Sequence, residues 1–210
     1  MNYFILNNQG GKKLVVLPLV LFLSFFILIN FVSANVWESN APIITGLPDI
    51  GAKAHPEAFV KDGIQYLITG SYSGGWFGYI WGGTNWTSNS TIVTGLTNIG
   101  NSGFPSVFNM NGNWYLIAGE IEGIFNGFNW NGTSWVSNST IILGLGDIGW
   151  DSTPHTFYKD GSWYLIAGGN AGTFNGYLWN GTGWQTNSTI VNGIAKIAGS
   201  NSYVSPDVFY

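Results

Sequence analysis

The chain has 210 residues, of which 8% are charged and 17% are Phe, Trp or Tyr; it has no Cys and no Arg, and its formal net charge is -4. That much apolar surface excludes a disordered, solvating chain, and the lack of Cys excludes a disulfide framework. Six Lys are the only basic residues, so there is no patch able to release counterions from nucleic acid, and that class of partner is excluded.

In chain order, Lys12 and Lys13 come first and precede an apolar run over residues 14–32, which closes on Val32-Ser33-Ala34. A charged start, an apolar stretch and small residues at the cleavage positions predict a signal peptide over residues 1–34. The run is also long enough to cross a bilayer as an uncleaved hydrophobic helix, a signal anchor. Either reading places residues 35–210 outside the cytoplasm, secreted or at the cell surface. Contact with a membrane is then expected only through the N-terminal segment, if it is retained. Without Lys12 and Lys13 the remainder carries four Lys against ten acids, 4 − 10 = −6.

From residue 35 onward the chain repeats itself. Trp37, Trp86, Trp135 and Trp184 stand 49 residues apart, as do Ile50, Ile99, Ile148 and Ile197. Pro56, Pro105 and Pro154 keep the step, and so do Tyr66, Tyr115 and Tyr164; the last copy slips by three, with Phe59, Phe108 and Phe157 leading to Phe209. A fixed period of this length predicts a repeat architecture, with copies at about 52–100, 101–149 and 150–198 and a partial one at 199–210.

One copy reads as four strands. PHTFYK (154–159) ends at the hairpin signal Asp160-Gly161, and SWYLIAG (162–168) follows. After a variable stretch, FNGYLWNG (174–181) ends at a second hairpin signal, Asn180-Gly181, and GWQTNSTIV (183–191) is the fourth strand. Four short antiparallel strands per copy, with no helix, predict an all-β fold of β-propeller blades. Trp81, Trp130 and Trp179, together with the 49-spaced Trp set, are expected to pack blade against blade. A buried aromatic contributes about 2–3 kcal/mol, so no blade is stable alone. Three full blades are flanked by a fourth-strand segment, NVWESNAPII, and a first-strand segment, VSPDVFY. The ring is therefore expected to be incomplete, and to be finished by further blades of a longer chain or by self-association.

The copies resemble FG-GAP/VCBS-type repeats, the blades of integrin-α-like propellers. The matching elements are P-x-x-F-x-x-D-G-x-W-Y-L-I-A-G, G-x-F-N-G-Y-x-W-N-G and I-x-x-G-L-x-D-I-G, over nearly all of residues 43–210. The resemblance implies a secreted or surface propeller used in adhesion or recognition of glycans or proteins. That family's calcium-binding acids have no counterpart here. In repeat length and Trp content the copies also resemble short-blade propeller lectins, which implies carbohydrate binding. AHPEAFVKDGIQYLITGS and STPHTFYKDGSWYLIAGG are similar to the inner strands of five-bladed arabinanase-type glycosidases. Those place an Asp before the Pro as catalytic base, whereas His55, Phe104, Thr153 and Ser205 stand there in this sequence.

The strand order gives the propeller two faces. Links into each first strand and loops between second and third strands share one face, and nearly all differences between copies fall there. Residues that break a repeat on a rigid scaffold are the natural place for function. The expected ligand-binding residues are His55, Glu57, Tyr72, Trp76, Glu120, Glu122, Trp150, Asp151, His155 and Asn170, and the expected partner is a glycan or a surface protein. A polysaccharide-acting enzyme and a structural surface-layer role are the alternatives; a glycosidase needs two facing carboxylates, and only Glu57, Glu120, Glu122 and Asp151 could converge. The two His stand at no compact zinc spacing and no calcium loop is present, so no metal and no cofactor are expected. Six N-x-T sequons, at Asn85, Asn89, Asn131, Asn138, Asn180 and Asn187, are expected glycan acceptors. Asn89, Asn138 and Asn187 are expected on the outermost strand, where a glycan would block edge pairing.

Overall fold

The structure is a computed structural model that describes residues 41–196 and 204–208. They belong to the second of two compact units, residues 40–210. The expected signal segment over residues 1–34 lies outside the described residues, as do Trp37, Ile197 and Phe209.

Twelve strands form three four-stranded antiparallel sheets among the described residues, each in simple chain order. The first holds β1 (His55–Lys61), β2 (Ile64–Gly70), β3 (Trp76–Trp81) and β4 (Trp86–Ser88). The second holds β5 (Phe104–Met110), β6 (Asn113–Gly119), β7 (Phe125–Trp130) and β8 (Trp135–Ser137). The third holds β9 (Thr153–Lys159), β10 (Ser162–Gly168), β11 (Phe174–Trp179) and β12 (Trp184–Thr186). The described residues contain no α-helix, only four 3-10 turns. This is the all-β, blade-like arrangement that the strand pattern predicts.

The first hairpin of each sheet is built as expected. Asp62-Gly63, Asn111-Gly112 and Asp160-Gly161 all take positive φ, between 50° and 83°. Two consecutive left-handed residues make the type I′ turn whose twist matches the strands it joins. The second hairpin differs from the two-residue turn expected at Asn180-Gly181. Its loop has four residues, Asn180–Gly183, closed by the Asn180 N–H donating to the Gly183 carbonyl at 3.0 Å. The Asn180 side-chain oxygen also accepts from the Thr182 and Gly183 N–H groups at 2.9 Å.

The fourth strand is shorter than expected. Each has three residues and then gives way to a 3-10 turn: Ser90–Val93, Ser139–Ile142 or Ser188–Val191. Asn89, Asn138 and Asn187 are the N-caps of these turns, accepting from the N–H of Thr91, Thr140 and Thr189 respectively. Asn is among the best N-caps because its side-chain oxygen satisfies an orphan donor of the first turn. The expectation that these three Asn lie on the outermost strand is therefore corrected: each follows that strand and caps a turn.

Neighbouring sheets are joined by a repeated clip. The Trp135 indole Nε1–H donates to the Ile92 carbonyl at 2.7 Å, and its backbone N–H to the Thr94 carbonyl at 2.8 Å. Trp184 does the same to the carbonyls of Ile141 and Leu143, both at 2.7 Å. Trp86 clips the preceding segment, to Ile43 at 2.9 Å and Thr45 at 2.8 Å. Behind each clip lies an apolar seam. Ile68 of the first sheet and Ile92 of the 3-10 turn that follows it pack with Val107, Leu116, Phe128 and Trp135 of the second, and Trp130 lies against this cluster. Phe108, Ile117 and Ile141 pack with Leu165, Ala167, Tyr177 and Trp184, and Trp179 lies against that one. Gly119 allows the seam to close, since a Cβ there would overlap the Ser152 carbonyl oxygen.

The register sorts the sheet ends. His55 pairs with Gly70 and Gly70 with Trp76, whereas Lys61 pairs with Ile64 and Trp81 with Trp86. The links and the 71–75 loop therefore share one face, opposite the uniform turns, and the second and third sheets repeat this.

Candidate functional site

His55, Glu57 and His155 do not lie in links. They fall among the first three residues of β1 and β9, and each strand begins one residue before its Pro rather than at it. This moves them inward. His55, Glu57, Phe104, Thr153 and His155, with Ser205 and Asp207, line one pocket of about 130 Å³. The starts of all three first strands and the segment 204–208 thus meet at a common mouth.

The mouth is polar, and its charges interact. His155 Nε2 lies 3.6 Å from Asp207 Oδ1. Burial holds the His155 imidazole below its ordinary value of 6.5, with the Asp207 carboxylate pulling the other way. The Glu57 carboxylate accepts from the Val107 N–H at 3.3 Å. Burial pushes Glu57 up to about 7 against that hydrogen bond, and the Asp207 charge adds to the rise. One step along, Ser106 Oγ accepts from the Thr156 N–H at 2.9 Å. The residues after Pro56 and Pro105 thus each accept from an N–H of the next sheet's first strand.

A second cavity of about 220 Å³ adjoins the mouth, lined by Lys53, His55, Phe104, Asp151, Thr153, Val204 and Ser205. Lys53 Nζ donates to Asp151 Oδ1 at 2.8 Å, joining the link before the first sheet to the link before the third. Burial lowers His55 below its ordinary value; the nearby Asp151 charge opposes this and Lys53 adds to it. The His55 ring stands edge-on to Phe104, with centroids 4.4 Å apart. Tyr72 and Trp150 are exposed, at 50% and 62%. The Tyr72 ring lies 6.0 Å from Lys53 Nζ, and Trp150 is the residue before Asp151.

Of the ten expected ligand residues, the structure brings His55, Glu57, Asp151 and His155 to the two cavities, and leaves Tyr72 and Trp150 standing exposed on the same face. Trp76 does not belong with them. Its Nε1–H donates to the Thr97 carbonyl at 2.9 Å, and its ring lies against Gly103 and the first seam. Glu120 is buried, accepts from Asn126 Nδ2 at 3.2 Å, and is pushed above its ordinary value by burial. Its loop is stapled between two links, through the Ile121 N–H to Asn101 and the Asp151 N–H to Ile121. Both side chains are held by bonds within the fold. Glu122 is exposed, and Asn170 donates its N–H to the Trp150 carbonyl at 2.7 Å.

Two charged residues of the site escaped the sequence reading. Asp207 is hidden by the three-residue slip of the last copy. Lys53 is a missed register signal: Lys53, Ser102 and Asp151 stand 49 apart, and all three are left-handed non-glycine residues, with φ of 58°, 67° and 58°. Of the sequons, Asn85, Asn131 and Asn180 are exposed in the second hairpin loops, while Asn89, Asn138 and Asn187 are half-buried caps. Among the described residues no group of three His, Asp or Glu could hold a metal ion, and no helix is long and apolar enough to cross a membrane.

No family model matches the chain, and no curated protein sequence does. Solved structures similar to it include a fucose lectin from Kordia zhangzhouensis in complex with methyl-fucoside, at 12% identity and a TM-score of 0.41, covering 62% of this chain and 96% of the lectin. RS223 β-xylosidase is similar at 11% identity and a TM-score of 0.46, covering 62% of this chain and 56% of the enzyme. Bacteroides ovatus xyloglucan PUL GH43B is similar at 15% identity and a TM-score of 0.44, covering 70% of this chain and 32% of the enzyme. The chain thus spans about half and about a third of the length of those two enzymes. The FG-GAP/VCBS-type resemblance has no counterpart among these structures.

Proposed function

We propose that this chain is an exported, cell-surface or secreted propeller module that recognises a glycan or protein ligand at the face formed by the links and the second-to-third-strand loops. One observation carries this: side chains from links 98 residues apart, Lys53 and Asp151, meet at 2.8 Å over a mouth lined by all three sheets. Residues that differ from copy to copy thereby become one surface, with exposed Tyr72 and Trp150 on the same face. Aromatic side chains give large contact area at small entropic cost, the usual anchor of a recognition surface. Uniform turns occupy the other face.

A glycan array probed with the full chain, beside the Tyr72→Ala/Trp150→Ala variant, tests the reading. The variant should lose binding while its far-UV circular dichroism is unchanged. Equal binding by both proteins removes this face as the site. Export and glycosylation belong to the same proposal. Exposed Asn85, Asn131 and Asn180 use their side-chain oxygens in loop hydrogen bonds, and no hydrogen bond of Nδ2 closes those of Asn131 and Asn180. Intact-mass measurement from the native host should show added glycan and loss of the first 34 residues or their retention as an anchor; a bare mass refutes the modification.

The enzyme alternative has one observation in its favour. Glu57, pushed up to about 7 by burial, and Asp207 line the same mouth, and acid–base cleavage of a glycoside uses two carboxyl groups facing one bond. Release of reducing sugar from plant or microbial polysaccharides, lost in Glu57→Gln, would favour it over binding.

A further inference from the structure

We propose that the fold presents two of the six N-x-T sequons, Asn131 and Asn180, as acceptors of an N-linked glycan, and withholds the other four. The inference rests on the exported reading and deepens it by naming the sites. The donor is a sugar activated as its polyprenyl pyrophosphate. The bond from Asn Nδ2 to the sugar C1 forms, the C1–O bond to pyrophosphate breaks, and Nδ2 gives up one proton.

Asn131 and Asn180 hold one register position, in the second hairpin loops of the second and third sheets, and Gly82 stands there in the first. All three residues of each sequon are exposed. Their hydrogen bonds stay inside the loop. The Asn131 N–H donates to the Ser134 carbonyl at 3.0 Å. Asn131 Oδ1 accepts from the Thr133 N–H and hydroxyl, both at 3.0 Å, and from the Ser134 N–H at 2.9 Å. Asn180 repeats this with the Thr182 N–H at 2.9 Å, its hydroxyl at 3.0 Å and the Gly183 N–H at 2.9 Å. Among the described residues no hydrogen bond engages Nδ2 of Asn131 or Asn180. The nitrogen that must react is free, and the loop can open locally without disturbing a seam.

The other four sequons are built into the fold. The Asn85 carbonyl closes the loop of the first sheet, accepting from the Gly82 N–H at 2.9 Å. Its sequon runs on through buried Trp86, which is clipped to Ile43, into Thr87, which pairs with Ile80. Asn89, Asn138 and Asn187 are half-buried N-caps whose Oδ1 holds the N–H of the Thr of the same sequon. Their backbone N–H groups donate to the carbonyls of Gly78, Gly127 and Gly176, each at 2.7 Å. The approach is close: a Cβ on any of these glycines would stand 2.4–2.5 Å from the carbonyl oxygen of the Asn it holds. Asn138 Nδ2 also donates to Asn129 Oδ1 at 3.3 Å. The turns begun by Asn89 and Asn138 are locked in addition by the indoles of Trp135 and Trp184. The turn begun by Asn187 has no such clip among the described residues. Presenting a cap to an enzyme thus gives up the cap, the bond to the neighbouring strand and, for Asn89 and Asn138, part of a seam.

The placement suits the recognition reading. The second hairpin loops lie at the Trp130–Trp135 and Trp179–Trp184 ends of their sheets, away from the links. Glycans on Asn131 and Asn180 leave the link face bare.

The test is glycosylation of the folded full chain by a purified oligosaccharyltransferase supplied with a polyprenyl-pyrophosphate-linked oligosaccharide. Glycopeptide mass spectrometry reads the initial rate at each site. Each rate is divided by that of a short peptide carrying the same sequon, which removes the enzyme's own sequence preference. Asn131 and Asn180 should exceed each of the other four at least about tenfold, the effect of losing a cap and a further hydrogen bond, with Asn187 next in order. A corrected rate at Asn85, Asn89, Asn138 or Asn187 equal to that of the two loops overturns the proposal. So does a folded chain left bare at Asn131 and Asn180 while the matching peptides react. Fractionation of the native host separates this inference from the reading beneath it: a cytoplasmic chain removes both, whereas an exported chain with a different set of occupied sites removes the site assignment alone.

Discussion

Ser102, wholly buried with φ of 67° and an unpartnered hydroxyl, is a residue held against its own preferences. Replacing it with Gly removes the left-handed strain and the orphan hydroxyl, against a Gly entropy cost of about 0.5–1 kcal/mol. Ser102→Gly should therefore raise stability by about 1 kcal/mol in urea unfolding. Glu57 makes the pH prediction. Its folded value of about 7 lies above its ordinary 4.5, so the folded state holds the proton more tightly than the unfolded chain. Stability from this group is complete below about pH 4.5 and is lost as pH rises through about 7. His55 and His155, lowered by burial, act in the opposite sense: their contribution is complete above 6.5 and is lost as pH falls below it. Glu57→Gln should abolish the first dependence, gaining up to about 3 kcal/mol on the wild type at pH 8 and little at pH 4.5; denaturant unfolding at the two pH values measures it. The roles of Glu57 and Asp151 were only half legible. Their departure from the repeat marks them, but their burial in two adjoining cavities depends on which residue begins the strand, and Pro56 gives no signal that β1 starts at His55.

At the scale of the element, the strands and first hairpins were legible because Asp-Gly and Asn-Gly at fixed offsets demand type I′ turns between alternating apolar runs. The fourth strand was not. In Trp-x-x-Asn-Ser-Thr, branched residues favour a strand while Asn favours a cap, and the cap prevails because β4, β8 and β12 are outermost strands with one neighbour each. Removing a cap should cost about 1 kcal/mol. Asn138→Ala should lower stability by that much in urea unfolding, and Asn89→Ala and Asn187→Ala should match it. The Trp clip matters more. Trp135 is 3% exposed and bonded to Ile92; Trp135→Ala should cost about 3–5 kcal/mol, whereas Trp135→Phe keeps most of the packing, and losing the one hydrogen bond should cost about 1 kcal/mol.

For the whole molecule, the repeat is the organising fact. It makes the seams uniform and leaves the links free to differ, and the proposed recognition face is built where the copies disagree. Lys53, Ser102 and Asp151 show both sides of this: one register position, one backbone conformation and three different side chains. That Lys53 and Asp151 meet beside one mouth could not be read from spacing alone, since it depends on how far each sheet turns from the last. The central claim is that ligand is recognised at the link face. Hydrogen exchange of the full chain, read by mass spectrometry with and without a glycan selected on the array, tests it most directly. The account predicts added protection in residues 50–57, 70–76 and 150–155 and none at the turns around 62–63, 111–112 and 160–161. Protection at those turns, with none in the links, would contradict it.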